Sequence, residues 1–313
     1  MAKDSTLSKT NSARARSSGR FLDPQILQQL GRLPLIAKTV VEGFLAGLHV
    51  SPYHGFSSEF AQYRQYIPGD DLRHLDWRVF ARTDRYYIRQ FEEDTNLNCY
   101  ILLDISGSMS YQPGAMSKLE YSSILVASLA YLQLKQRDNT GLYAFNEKFV
   151  DVIPPKGGQR HLSVLLHLLE SLKAIGTANV AALIMTAAEN FKRRGLVVLV
   201  SDLYDDPEAV VKSLSRVRHL GHEVIVFHLL DNVERNLAVK GVVEFVDLET
   251  GERVVGEAGK IRKAYSEKLE QSLAYYKRQC LKEDVDYVLI DTSQPLDGAL
   301  YAYLKRRQGK IRN

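Results

Sequence analysis

The chain has 313 residues, with 41 Lys and Arg against 37 Asp and Glu, and a formal net charge of +4. Its 45% hydrophobic and 25% charged residues are ordinary globular material, and no apolar run approaches the ~18 residues of a membrane span. The N-terminus lacks the apolar core and cleavage site of a signal peptide, and Cys99 and Cys280 stand in no metal or redox spacing, so the expected compartment is the cytoplasm with both thiols reduced.

The basic excess lies in the first twenty residues. Lys3, Lys9, Arg14, Arg16 and Arg20 face Asp4 alone, so five minus one accounts for the whole +4. Residues 1–20 read as a disordered, solvated tail, and the balanced remainder disfavours a general nucleic-acid footprint. Helical periodicity runs from Leu22 to about Val50, with Leu33, Ile36, Val40, Phe44 and Leu48 on one side. Its polar face is short and not strongly basic, so packing on its own domain is preferred to a membrane-surface role.

Ser51 to Asn98 is dense in aromatics and charges. Pro68-Gly69-Asp70-Asp71 is a turn into a short helix expected over Leu72 to Arg82, and Tyr86 to Phe91 reads as a strand. Arginines interleaved with aromatics can bind single-stranded nucleic acid. Here Asp70, Asp71, Asp76, Asp84, Glu92, Glu93 and Asp94 nearly match the arginines in number, which favours an internal ion-pair network.

From Cys99 onward strands and helices alternate. Tyr100–Asp104 is a buried strand and Leu119–Arg137 a helix. Gly141–Phe145 and Phe149–Ile153 form an antiparallel hairpin. Helices over Leu162–Leu172 and Val180–Phe191 lead to the apolar strand Leu196–Val200. The helix Pro207–Leu220, the strand Glu223–Leu229, the strand Tyr287–Ile290 and the helix Leu296–Lys305 complete the pattern. Near-continuous apolar strands separated by helices mean a doubly wound α/β fold, with a mostly parallel sheet covered on both faces and one antiparallel edge strand. An excursion at about 232–284 holds a hairpin, Val242–Val255, and a charged helix from about Ala258 to Lys282. The chain thus divides into the tail, a segment 21–96, and an α/β domain 97–313 with that insertion.

The chemistry concentrates after the first buried strand. Asp104-Ile105-Ser106-Gly107-Ser108 sets one carboxylate and two hydroxyls at alternate positions, with a glycine to let the chain turn. Hard oxygen ligands of this kind suit magnesium or manganese. Ligands of doubly wound sheets sit at carboxyl ends of strands where strand order reverses. Asp104, Asp202, Asp231 and Asp291 all lie at or just past such ends, and only Asp104 and Asp202 are expected to flank the reversal. Asp291 is expected farther out, as a turn or cap residue.

Asp104-x-Ser106-x-Ser108, Thr177 in Ile175-Gly176-Thr177-Ala178-Asn179, and Asp202 after an apolar strand resemble the metal-ion-dependent adhesion site of von Willebrand factor A-like domains. That resemblance implies magnesium or manganese held, directly or through water, by Asp104, Ser106, Ser108, Thr177 and Asp202. It covers about residues 97–230 and the final strand and helix. Ser51-Pro52-Tyr53, Gly55-Phe56-Ser57, Tyr63-Arg64, Pro68-Gly69-Asp70-Asp71, Asp76-Trp77-Arg78 and Ala81-Arg82-Thr83 add a resemblance to the bacterial and archaeal family labelled domain of unknown function 58. With them it extends over nearly everything after residue 20. Family members often accompany MoxR-type AAA+ ATPases, which implies such an ATPase, or the client it remodels, as partner. The plainer alternative has Asp104 and Asp202 cap loops, and Ser106, Ser108 and Thr177 cap helices.

Other chemistries fit less well. An aspartate-nucleophile phosphatase needs an acid two residues after Asp104, where Ser106 stands. Ser106 lacks a Gly-x-Ser-x-Gly frame and an identifiable histidine base, and no phosphate-cradling Gly-Lys-Ser/Thr loop is present. The expected function is therefore a non-enzymatic, divalent-metal-dependent protein-interaction module, with no nucleic acid and no integral membrane segment. The alternatives are a metal-assisted phosphoester hydrolase, with Asp104 and Asp202 holding a catalytic ion, and single-stranded nucleic-acid binding through residues 51–98.

Overall fold

A computed structural model describes residues 32–50, 63–65, 87–89, 97–237 and 239–311. The basic tail, the helix expected over Leu72 to Arg82 and most of the aromatic-arginine segment lie outside the described residues. Within that segment β1 (Tyr63–Gln65) pairs antiparallel with β2 (Tyr87–Arg89), inside the strand expected over Tyr86 to Phe91.

The domain is built on β3 (Asn98–Asp104), whose six residues after Asn98 are all buried. A strand apolar on both faces needs neighbours on both edges and helices above and below. It has them. On one edge β3 pairs parallel with β4 (Asn139–Phe145), which turns back into the antiparallel β5 (Phe149–Lys156). On the other edge it pairs parallel with β6 (Gly195–Ser201), followed by β7 (Glu223–Leu230) and β10 (Asp286–Asp291). The order is β10-β7-β6-β3-β4-β5. This is the doubly wound, mostly parallel sheet with one antiparallel edge strand expected from the sequence. Pro154 and Pro155 fall on that edge strand, the place in a sheet that tolerates a missing N–H.

Side-chain alternation sorts the core into two layers. Cys99, Ile101 and Leu103 point to one face. There they meet α1 (Leu33–Val50), α2 (Lys118–Lys135), α3 (Gln159–Ser171) and α8 (Asp297–Ile311). Tyr100 and Leu102 point to the other, against α4 (Val180–Asn190), α5 (Pro207–His219) and α7 (Ala258–Lys282). Each such large apolar side chain, fully buried, contributes about 1.5–3 kcal/mol, which fixes the register. Leu33, Ile36, Val40 and Phe44 of α1 are buried, so this helix packs on its own domain as expected. Among the described residues no helix is long and apolar enough to cross a membrane.

Helix ends follow their local chemistry. Ser117 and Glu120 form a capping box at the start of α2, and Asp206 caps α5 ahead of Pro207. Between β7 and β10 come α6 (Asn232–Asn236), the hairpin β8 (Val242–Val246) and β9 (Arg253–Glu257), then α7. The insertion is thus not wholly an excursion. Tyr276 and Cys280 near the end of α7 are buried in the second layer, so this helix also serves as the crossover between two parallel strands.

Candidate metal and docking site

The order reverses between β3 and β6: the chain leaves β3 for β4 on one side and returns to β6 on the other. Asp104 ends β3, and Asp202 follows β6 on the neighbouring strand. Both are almost wholly buried. Asp104 Oδ1 accepts the Ser106 backbone N–H at 2.9 Å, and Oδ2 accepts the Ser201 hydroxyl at 2.7 Å. Ser201 Oγ in turn accepts the Leu203 N–H at 2.9 Å. Leu203 takes the left-handed φ of +52°, a sparsely populated conformation for leucine that the buried site must hold in place.

The Ser106 and Ser108 hydroxyls lie 3.0 Å apart and are buried. Neither Ser106 nor Thr177 caps a helix through its side chain: Ser106 makes no such bond at the short 3-10 turn Gly107–Ser110, and Asn179 caps α4. The capping alternative therefore fails for these two residues. The Thr177 loop is laced to the serine loop by Ile175 N–H to Ile105 O at 2.9 Å and Gly107 N–H to Gly176 O at 2.7 Å. Thr177 itself donates to Glu147 Oε1 at 3.0 Å. The expected residues thus come from three adjoining loops at one edge of the sheet, with the Thr177 hydroxyl turned to Glu147. Asp291 accepts from its own turn through Ser293, the turn role expected of it, and Asp231 caps α6.

Burial first, and then repulsion from Asp202, push the Asp104 carboxyl up to about 7, against the lowering effect of its Ser201 and Ser106 hydrogen bonds. Lys118 is the counterweight. Its ammonium donates to Asp202 Oδ2 at 2.9 Å and to Glu234 Oε1 at 2.7 Å, with the side chain wholly buried. It also lies 5.6 Å from the Tyr111 ring centroid and 5.1 Å from that of Tyr204. Burial alone would lower its pKa, but Asp202 and Glu234 together hold it above the ordinary lysine value. On the far side of Asp202, burial depresses His228 to about 4. The neutral ring bonds Tyr287 Oη through Nδ1 at 2.6 Å and the backbone of Asp202.

A further acid arrives from the insertion. Glu249, in the turn between β8 and β9, faces the hydroxyls of Ser108 and Ser106 and the backbone N–H of Ala178, all of which favour its charged form. Burial first, with repulsion from Asp202, outweighs them and leaves its pKa raised.

These residues sit inside a recognised family region. Residues 62–274 match the family described as "Protein of unknown function DUF58". The chain belongs to the DUF58 family. An uncharacterised protein of Mycobacterium tuberculosis is 27% identical over 236 residues, 74% of each chain, and YeaD of Bacillus subtilis is 29% identical over 120 residues, 38% of this chain and 28% of that one. Among solved structures, this DUF58 chain is similar to an aerotolerance-related membrane protein from Bacteroides fragilis, at 20% identity and TM-score 0.48, covering 67% of this chain and 99% of that one. BatB from Bacteroides thetaiotaomicron gives 16% and 0.48, covering 68% and 99%. The SpRpn10 VWA domain gives 14% and 0.42, covering 66% and 94%.

The donor set of this DUF58 chain fits a divalent cation. Asp104 and Asp202 bring two buried carboxylates to neighbouring strand ends, while the Lys118 ammonium is shared between Asp202 and Glu234. Lys118 engages Asp202 through Oδ2 alone, and a carboxylate offers two oxygens to a cation. Among the described residues no three His, Cys, Asp or Glu side chains could hold a metal by themselves, so the hydroxyls are indispensable to any such ion. A bound ion would supply positive charge between Asp104 and Asp202 and an electrophilic position for an outside oxygen ligand.

Gly107 joins the serine loop to the hairpin turn. A Cβ there would lie 2.2 Å from the Leu248 carbonyl oxygen, closer than any real contact. Gly107→Ala is therefore expected to push the hairpin off the site while the buried sheet persists. Faster proteolysis within residues 242–257 with an unchanged circular-dichroism spectrum would register it. A hairpin as protected as in the wild type would show that this approach is not needed to seat it.

Proposed function

We propose that this chain is a non-enzymatic protein-interaction module whose docking site is a divalent cation, magnesium or manganese, held by Asp104, Ser106, Ser108, Thr177 and Asp202. The reading is carried by one observation: the buried carboxylates of Asp104 and Asp202 stand at neighbouring strand ends, beside the paired hydroxyls of Ser106 and Ser108. A cation relieves the repulsion and presents an open coordination position to a carboxylate from another protein. Hydrolysis is the poorer reading, because a phosphoester hydrolase needs a base beside the ion. His228, which borders Asp202, is held neutral and committed to Tyr287 and the Asp202 backbone. The partner implied by the family resemblance is a MoxR-type AAA+ ATPase or the client it remodels.

The test is association with that ATPase, measured by calorimetry in magnesium and in chelator. Binding in magnesium only, lost in Asp104→Ala with the fold intact, is the expected result. Equal binding of both proteins under both conditions would place the contact elsewhere. Turnover of a generic phosphoester that depends on Asp104 would favour the hydrolase instead.

A further inference from the structure

We infer that the β8–β9 hairpin carries the site's own ligand: the Glu249 carboxylate occupies the place a partner's carboxylate would take, and the hairpin must lift before a partner can dock. This rests on the reading of the site as a receptor for carboxylates. The hairpin is shaped to present that side chain. Asp247 Oδ1 accepts the N–H groups of Glu249 at 2.8 Å and Thr250 at 3.2 Å, and Asp247 N–H reaches Glu252 O at 2.8 Å. The turn is therefore locked by its own bonds, with Glu249 projecting from it. Its backbone presses on the serine loop at Gly107, and its carboxylate faces Ser106, Ser108 and the Ala178 N–H.

The hairpin is largely open to solvent: Leu248 in its turn is 44% exposed, and Val242, Val254 and Val255 along its strands are 61–73% exposed. The base is held separately. Ala258 N–H donates to Gly241 O at 3.0 Å, and Arg262 donates to the carbonyls of Leu237 at 3.2 Å and Val239 at 2.6 Å. Gly241, at φ +82°, lies at that base and can absorb a change of direction. The arrangement is a strap anchored at its root and fastened at its tip by one acid and one close backbone contact. A competing partner must offer a carboxylate on an exposed turn, the geometry Glu249 itself has. The hairpin's exposed valines then supply apolar surface for the same partner.

The experiment uses the full chain and Glu249→Ala, a change on a partly exposed turn that leaves both core layers intact. Hydrogen exchange of the β8 and β9 amides is followed with manganese alone as the probe and again in chelator, and ion binding is read from water-proton relaxation. In the wild type, manganese should slow exchange across the hairpin. In Glu249→Ala those amides should exchange at least tenfold faster, with no slowing by manganese. The relaxation per bound ion should rise, because water replaces the missing carboxylate. Glu249→Gln, which keeps acceptors but no charge, should fall between. Identical hairpin exchange in the wild type and Glu249→Ala, with manganese bound to both, overturns the inference and leaves the metal reading intact. No manganese binding by the wild type, with faster hairpin exchange in Glu249→Ala in chelator, overturns the metal reading and leaves Glu249 as the occupant of the hydroxyl site.

Discussion

Lys118→Met should be the most damaging single substitution at the site, costing about 3–5 kcal/mol of folding stability at neutral pH in chelator. Methionine keeps most of the unbranched stem, so packing changes little. What disappears is the one ammonium between Asp202 and Glu234, at 2.9 and 2.7 Å, in a position with no solvent access. Removing one member of a buried ion pair leaves the other charge unpaired, which costs far more than the pair itself contributes. Asp202 would then lose its counter-charge while still repelling Asp104. Glu234 would keep the Tyr204 hydroxyl at 3.0 Å and the Asp231 N–H at 3.2 Å, but without a counter-charge. Lys118→Arg should not rescue the loss, because a planar guanidinium needs more room than a wholly buried ammonium leaves. The measurement is urea unfolding at pH 7 in chelator. A Lys118→Met protein within 1 kcal/mol of the wild type would show that the buried carboxylates are neutral or hydrated, and that the ammonium does not hold this site together.

The sheet was legible because each strand announces itself. β3, β6 and β7 are apolar runs of a length that fits strands and not helices, and the Asn146-Glu147-Lys148 turn is too short for a crossover. The reversal between β3 and β6 followed from that hairpin. Asp104 and Asp202 were then placed by the general rule for strand ends. Lys118 was missed although a signal was present. α2 is otherwise apolar or small along most of its length, and a cation in its first turn opposes the helix dipole unless an acid waits nearby. Ser201 also left a trace, as the first polar residue after an apolar strand. Glu249 left none. It lies in an ordinary polar turn, 143 residues after Ser106, and only the path of the insertion brings it back to the site. The helix of that insertion was recognisable by its charge, but its role as a crossover depended on Tyr276 and Cys280 facing the sheet.

The same electrostatics make stability depend on pH in a direction that metal should oppose. Burial and Asp202 raise Asp104 from 3.8 to about 7, so folding takes up a proton at this residue between those values. A carboxyl raised in the folded state contributes stability that is fully present below about 3.8 and is lost as pH climbs through about 7. Glu249 is raised as well and adds to the trend, weakly because it is partly exposed. In chelator the wild type should therefore lose on the order of a few kcal/mol between pH 5 and pH 8, within the ~4 kcal/mol that three pKa units allow. Asp104→Asn should flatten this slope and be the more stable protein at pH 8, since the amide keeps an acceptor for the Ser106 N–H without the charge. Magnesium acts the other way. It binds the ionised pair, so it should stabilise the wild type most at pH 8, by about 2.7 kcal/mol at one hundred times its dissociation constant. Asp104→Asn should gain little from it. Thermal and urea unfolding of the two proteins at pH 5 and pH 8, in magnesium and in chelator, gives the four comparisons needed. A wild-type stability that is flat with pH in chelator would mean that Asp104 is not strained by Asp202. A magnesium gain of equal size in Asp104→Asn would mean that the ion binds elsewhere.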